Sequence, residues 1–105
     1  MATNRLELLK QMVGQDPANT FARYGLAMEY ANSGQLEQAM GEFRSLIQQD
    51  ENYAAAYYHG GQALEKLGRI AEARSLYEKG IEASTRKGDL HTRSEIEAAL
   101  GMLPA

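Results

Sequence analysis

A 34-residue period constrains this chain more than any other feature of its sequence. Gly34 and Gly68 lie 34 positions apart, and the residues around them repeat at the same distance. A fixed period of this length is typical of helical repeat arrays, in which each unit completes its core on its neighbours. The pairs that share the offset, identical or chemically similar, are Ala22/Ala56, Tyr24/Tyr58, Leu36/Ile70, Ala39/Ala73, Phe43/Tyr77 and Ile47/Ile81.

Apolar residues recur at spacings of three and four along nearly the whole chain, which predicts helices and no strands. The expected helices cover about residues 4–13, 17–31, 36–49, 53–66 and 70–85, with a last one that begins near residue 91 or 92. About six helices joined by short turns predict an all-α fold built from antiparallel helix hairpins.

Local signals mark where these helices begin and end. The two repeated glycines are expected to end helices in a left-handed conformation. Asp16 is expected to cap the second helix, with Pro17 in its first turn. Thr92 and Glu95 have the spacing of a capping box for the last helix. The apolar stripe expected on that helix consists of Ile96, Leu100 and Leu103.

The composition is that of a single globular domain, with 105 residues and 44% hydrophobic content. The net charge is −3, and neither half of the chain has the basic excess that nucleic-acid binding requires. No apolar run is long enough for a membrane span or a signal peptide. These observations predict a cytoplasmic protein with neither nucleic acid nor membrane as a partner.

Groups that could perform catalysis or bind a metal are scattered along the sequence. There is no cysteine, and the only two histidines, His59 and His91, fall on different predicted helices. A metal site or a base–nucleophile pair would require further ligands that converge on them. We therefore expect no enzymatic activity, no cofactor and no metal.

The repeated residues resemble the tetratricopeptide repeat (TPR) pattern, in which small and large side chains alternate across two antiparallel helices. Residues 20–53 carry Leu26, Ala27, Tyr30, Gly34, Ala39 and Phe43 in that pattern, and residues 54–87 carry Tyr57, Gly61, Leu64, Gly68, Ala73 and Tyr77. The resemblance implies a right-handed superhelix, a TPR-like α-solenoid. Arg23 departs from the pattern because it stands where a large apolar residue is usual.

The resemblance also divides the chain into one domain of four parts. Residues 4–15 correspond to the second helix of a repeat whose first helix is missing. Residues 20–53 and 54–87 form two complete repeats, and residues 88–105 form a C-terminal capping helix.

In TPR proteins the first helices of successive repeats line a concave groove that binds peptides. The resemblance therefore implies a protein-interaction scaffold whose partner is a protein or peptide. Tyr24 and Tyr58 are of particular interest, because aromatic residues on a groove often anchor an apolar or helical peptide. The groove positions by analogy are Phe21, Tyr24, Met28, Asn32, Ala55, Tyr58, His59, Gln62 and Lys66.

Two alternatives remain open at this point. The groove side chains could instead pack on the terminal helix or on one another. The chain could also act by self-association, because its first helix has an apolar face without the helix that would cover it, and such a face favours homodimers. The residues of this possible dimer face are Leu6, Leu8, Leu9, Met12 and Val13.

Overall fold

The computed structural model describes residues 2–105, with side chains from Arg5 onward. Within these residues the chain forms six helices and no strand, which confirms the all-α prediction. Adding 34 to the bounds of the first two helices gives the bounds of the next two, so the period in the sequence is a period in the structure. The helices are α1 (Ala2–Gln15), α2 (Thr20–Asn32), α3 (Leu36–Gln49), α4 (Ala54–Lys66), α5 (Ile70–Lys87) and α6 (Leu90–Gly101).

Each helix packs against the next one along the chain, and α4 also contacts α2 and α6. Helices α2, α4 and α6 therefore form one layer, and α1, α3 and α5 lie on its other side. The resulting stack measures 39 × 28 × 19 Å. This arrangement exposes one face of the α2–α4–α6 layer, where the groove residues were expected.

The turns after α2 and α4 use glycine as expected. Gly34 and Gly68 have φ angles of 80° and 77°, in the left-handed region that suits glycine. In each turn the residue after the glycine donates a backbone hydrogen bond of 2.9 Å to a carbonyl five residues earlier, Gln35 to Tyr30 and Arg69 to Leu64. These bonds satisfy carbonyls at the helix end that would otherwise lack a partner.

The prediction for the start of α2 was wrong. The helix begins at Thr20, and the side chain of Asn19 caps it by accepting a hydrogen bond of 3.0 Å from the backbone N–H of Ala22. Asp16 instead belongs to the preceding turn, where its carbonyl accepts from the N–H of Asn19. Pro17 consequently lies in that turn and not in the helix.

The capping box predicted for α6 was also wrong. Asp89 is the capping residue, and its carboxylate accepts from both the backbone N–H and the hydroxyl of Thr92, at 3.1 and 2.7 Å. These hydrogen bonds lower the pKa of Asp89 below its usual value. The helix therefore starts at Leu90, and α5 extends two residues beyond its expected end.

Two glycines in the core leave space that large neighbouring side chains occupy. A Cβ atom on Gly61 would lie 2.1 Å from Cε1 of Tyr77, so the ring of Tyr77 fills the space that a side chain would need. Gly80 plays the same part for Tyr57 and Ile96, with distances of 2.6 and 2.9 Å. The two glycines allow α4, α5 and α6 to pack closely around large side chains.

Helix α6 is docked by the stripe expected from its sequence. Ile96 is fully buried, and Leu100 and Leu103 pack against the core with part of their surface exposed. Because α6 contacts both α4 and α5, it covers the end of the stack that follows the second repeat.

The charged side chain of Arg23 is largely buried in the helix stack, where it has specific polar partners. Its Nη1 lies 2.7 Å from Oε1 of Glu42 on α3, and its Nη2 donates to the carbonyl of Pro17 at 3.2 Å. The side chain is only 12% exposed. The departure from an apolar residue at this position is therefore accommodated by an ion pair and a loop contact.

Candidate protein-binding surfaces

The residues predicted to form one groove lie along two separate clefts in the structure. Phe21, Tyr24, Met28 and Asn32 line a cleft between α1 and α2. Tyr58 and Gln62 line a second cleft between α4 and α6. Two of the remaining residues, Ala55 and His59, are half-buried. The predicted groove is therefore divided into two clefts, with His59 between them.

The first cleft, called here the N-terminal cleft, has a volume of about 340 Å³. Phe21 at its edge is 80% exposed, an unusual position for an aromatic side chain. Arg5 and Glu29 form an ion pair of 3.1 Å at the rim, which leaves the wall largely apolar. The residues that form the wall include Leu9 and Met12 from α1 and Phe21, Tyr24, Gly25 and Met28 from α2.

The possible dimer face contributes to the same cleft. Leu9 and Met12 line it, and Leu8 lies nearby on α1 with 56% of its surface exposed. Leu6 and Val13 are half-buried and contribute less free surface. The groove and dimer hypotheses therefore concern overlapping surfaces, which their positions in the sequence did not reveal.

The second cleft, called here the C-terminal cleft, has a volume of about 450 Å³. Part of its wall comes from Glu95 and Ala98 of α6 and from Met102, which directly follows the helix and is 85% exposed. Sequence reasoning missed this contribution because it considered only the buried stripe of α6. The signal was present in Met102, an apolar residue outside that stripe. Lys66 faces a smaller hollow of about 220 Å³ beside this cleft.

An aromatic cluster separates the two clefts. The ring of His59 lies 6.0 Å from that of Tyr24 and 5.1 Å from that of Tyr58, measured between centroids. Tyr53 completes the cluster, with its ring centroid 5.5 Å from that of Tyr24. Tyr24 therefore both packs on its neighbours and lines a cleft, so the two interpretations of this residue are compatible.

Burial in the cluster shifts the pKa values of His59 and Tyr24. Loss of solvent lowers the pKa of His59 below its usual value, while the hydrogen bond with Gln62 and the charge of Glu95 act in the opposite direction. Burial likewise raises the pKa of Tyr24, with smaller contributions from Tyr53 and Glu95. Both side chains are held in their neutral forms near pH 7, so the floor between the clefts is uncharged.

Within the described part of the chain, no three His, Asp or Glu side chains come together in a way that could hold a metal ion. None of the helices described for residues 2–105 has the length and apolar character needed to cross a membrane.

The stacked helix hairpins and open clefts define a helical-repeat protein of the kind that presents surfaces to other proteins. The sequence model of the tetratricopeptide repeat matches residues 6–58 and again residues 33–91. Together these ranges cover most of the chain. The protein belongs to the tetratricopeptide repeat family.

Individual relatives agree with this assignment. A TPR repeat-containing protein of Pseudomonas aeruginosa is 29% identical over 98 residues, which cover 93% of each chain. The solution structure of a tetratricopeptide repeat domain protein from Salinibacter ruber is 34% identical, covers 81% of this chain and 86% of that chain, and superposes with a TM-score of 0.75.

The fold is also shared with a more distant protein. The structure of PcrH in complex with the chaperone binding region of PopD superposes with a TM-score of 0.90, covering 95% of this chain and 76% of that chain. The sequence identity is 16%, so this similarity concerns the fold alone.

Proposed function

We propose that the chain is a small adaptor that binds a peptide or protein segment along its two clefts. The observation that carries this proposal is Phe21, a large aromatic side chain that is 80% exposed at the edge of an apolar cleft of about 340 Å³. Exposed aromatic and methionine side chains beside a cleft are typical anchors for a bound partner. Met102 repeats this arrangement at the C-terminal cleft, with 85% of its surface exposed.

The fold supports the same proposal. The protein with the same fold in the PcrH structure holds a segment of another protein, the chaperone binding region of PopD. In the present chain, the uncharged cluster of Tyr24, Tyr58 and His59 between the clefts favours a partner whose buried face is apolar.

Selection from a random peptide library, followed by calorimetric titration, tests the proposal. Phe21→Ala and Met102→Ala each remove an exposed anchor from one cleft, and both should leave the fold unchanged. The Tyr24→Ala/Tyr58→Ala double variant removes an aromatic side chain from each cleft. We expect at least one of these changes to weaken binding of a selected peptide by about tenfold or more.

Leu90→Ala serves as the matched control, because Leu90 is 69% exposed and lines neither cleft. Equal affinity for the wild type, the three cleft variants and this control would contradict the proposal.

Self-association through α1 is the second candidate function. It is favoured by Leu8 and Met12, which are 56% and 37% exposed one helical turn apart. Such an apolar face favours pairing with a second copy. Sedimentation at increasing concentration, with Leu8→Lys as the comparison, tests it. A wild-type chain that stays monomeric at millimolar concentration would rule out this candidate.

A further inference from the structure

The structure contains its own example of a helix in a cleft like the N-terminal one. Helices α3 and α4 are the 34-residue equivalents of α1 and α2, and α2 packs against both of them. Phe43 and Leu46 of α3 are fully buried. Their equivalents on α1 are Leu9, which is half-buried, and Met12, which is 37% exposed. None of the helices described covers α1 and α2 in the way that α2 covers α3 and α4.

The N-terminal cleft differs from the equivalent surface of α3 and α4 at the positions that contact an aromatic ring of α2. On α4, His59 and the preceding Tyr53 approach the ring of Tyr24, with centroids 6.0 and 5.5 Å away. The residues 34 positions earlier are Gly25 and Asn19. Both are smaller and carry no aromatic ring, and a Cβ atom on Gly25 would lie 3.2 Å from Cδ2 of Leu9. The cleft beside them has a volume of about 340 Å³, which gives room for a large side chain.

We propose that the N-terminal cleft binds an amphipathic helix of a partner protein, which lies across α1 and α2 as α2 lies across α3 and α4. This inference rests on the proposed adaptor function and specifies its partner. An aromatic or large apolar side chain of the partner lies over Gly25. The partner face that enters the cleft is uncharged, because Arg5 and Glu29 already neutralise each other at the rim.

Two observations favour a partner helix over a second copy of this chain. The helix stack runs without interruption from α6 to α2, and a further helix in this cleft continues an interface that already exists between α2, α3 and α4. A two-fold axis at the cleft, in contrast, would set one concave surface against another. The space beside Gly25 would then stay unfilled in both copies.

A peptide with the sequence of residues 19–34 provides a probe, because it is the helix that occupies the equivalent position one repeat later. We expect saturable binding to the full chain, observed by NMR titration, with shifts at Gly25, Met12 and Phe21. A Tyr24→Ala version of the peptide should bind about tenfold more weakly, and a Tyr24→Trp version at least as tightly as the original.

The decisive variant of the protein is Met12→Glu, which places a charge on the apolar wall of the cleft at a position that is 37% exposed. It should weaken peptide binding by about tenfold or more while the helical circular dichroism is retained. Leu90→Glu is the matched control, because Leu90 is 69% exposed and lines neither cleft. Phe21→Ala provides a second variant whose exposed position does not affect folding.

Several results would overturn the inference. Binding that survives both Met12→Glu and Phe21→Ala, or shifts confined to Tyr58 and Met102, would place the helix elsewhere while the adaptor function stands. Failure of the peptide to bind at all would also refute the helix, and library selection would still test the adaptor function separately. A wild-type dimer that Met12→Glu dissociates would identify a second copy as the occupant.

Discussion

Arg23 and Tyr57 make the same hydrogen bond in successive repeats. The guanidinium of Arg23 donates to the carbonyl of Pro17 at 3.2 Å, and the hydroxyl of Tyr57 donates to the carbonyl of Glu51 at 2.8 Å. Donor and acceptor are six residues apart in both cases, and the two bonds are offset by 34 positions. Each bond ties the first turns of a helix to the loop that precedes it. A cation thus replaces a phenol without loss of this contact.

The first prediction concerns Arg23. Arg23→Ala should destabilise the fold by about 1–3 kcal/mol, because it removes the loop contact and leaves Glu42 half-buried without its cation. Arg23→Tyr should recover part of this loss through the loop contact. Chemical denaturation measures both changes. Arg44→Ala is the control, since its pair with Glu72 is exposed and 3.7 Å long. Equal stability of the two alanine variants would contradict the prediction.

Two glycines in helix interiors should respond to alanine with opposite signs. Gly61→Ala should cost about 1–3 kcal/mol, because its Cβ atom would collide with the ring of Tyr77. Gly41→Ala should stabilise the chain by about 0.5–1 kcal/mol, because that site is open and alanine favours a helix. Thermal and urea unfolding of the pair provide the measurement. A stabilised Gly61→Ala variant would mean that α4 and α5 are packed less closely than described.

Docking of α6 depends on Ile96. Ile96→Ala should cost about 2–4 kcal/mol, because the side chain is fully buried between helices and its loss leaves a cavity. Leu90→Ala, at an exposed position of the same helix, should change stability by less than about 0.5 kcal/mol. Unfolding curves of the two variants should therefore separate clearly. Coincident curves would show that α6 is not held by this residue.

His59 should make stability depend on pH. Burial lowers its pKa in the folded chain, so the unfolded chain binds more protons once the pH falls to about 6.5 or below. The contribution of the neutral ring is fully present above that pH. Stability then falls on acidification until the folded-state pKa is passed. Urea unfolding at a series of pH values measures this slope, and His59→Gln should reduce it.

The matched control for this effect is His91→Gln, since His91 is 86% exposed. The control should leave the pH dependence that burial of His59 causes in place. If His59→Gln keeps the full slope, the titration belongs to other groups.

Much of the fold could be predicted from the sequence, because the 34-residue period and the helical spacing of apolar residues both result from the same packing of helices. The turns at Gly34 and Gly68 were predictable since few residues other than glycine adopt a positive φ angle. The starts of α2 and α6 were not, because several residues near each start could act as a cap. Asn19 and Asp89 act as the caps because the preceding turns end at these residues, and the end of a turn depends on tertiary packing.

The residues proposed for the binding surface came from the sequence, whereas the shape of the clefts did not. Phe21, Tyr24 and Met28 do line a cleft, but Leu9 and Met12 of α1 form its other wall. The position of a residue in a repeat indicates the direction of its side chain. The shape of a cleft depends instead on which neighbouring helices cover that side chain. The difference between Gly25 and His59 was visible in the sequence. Its relevance to binding followed only from a comparison of α2 with α4 in the structure.

The fit between Gly61 and Tyr77 bears on how two similar repeats avoid mispairing as the chain folds. At the equivalent positions the first repeat has Ala27 and Phe43. If α5 paired with α2 in place of α4, the ring of Tyr77 would meet the methyl group of Ala27 where it now has free space. This steric mismatch discriminates against the wrong hairpin. Differences between the copies therefore give each helix a preferred partner, and two units of the same fold can assemble in one order.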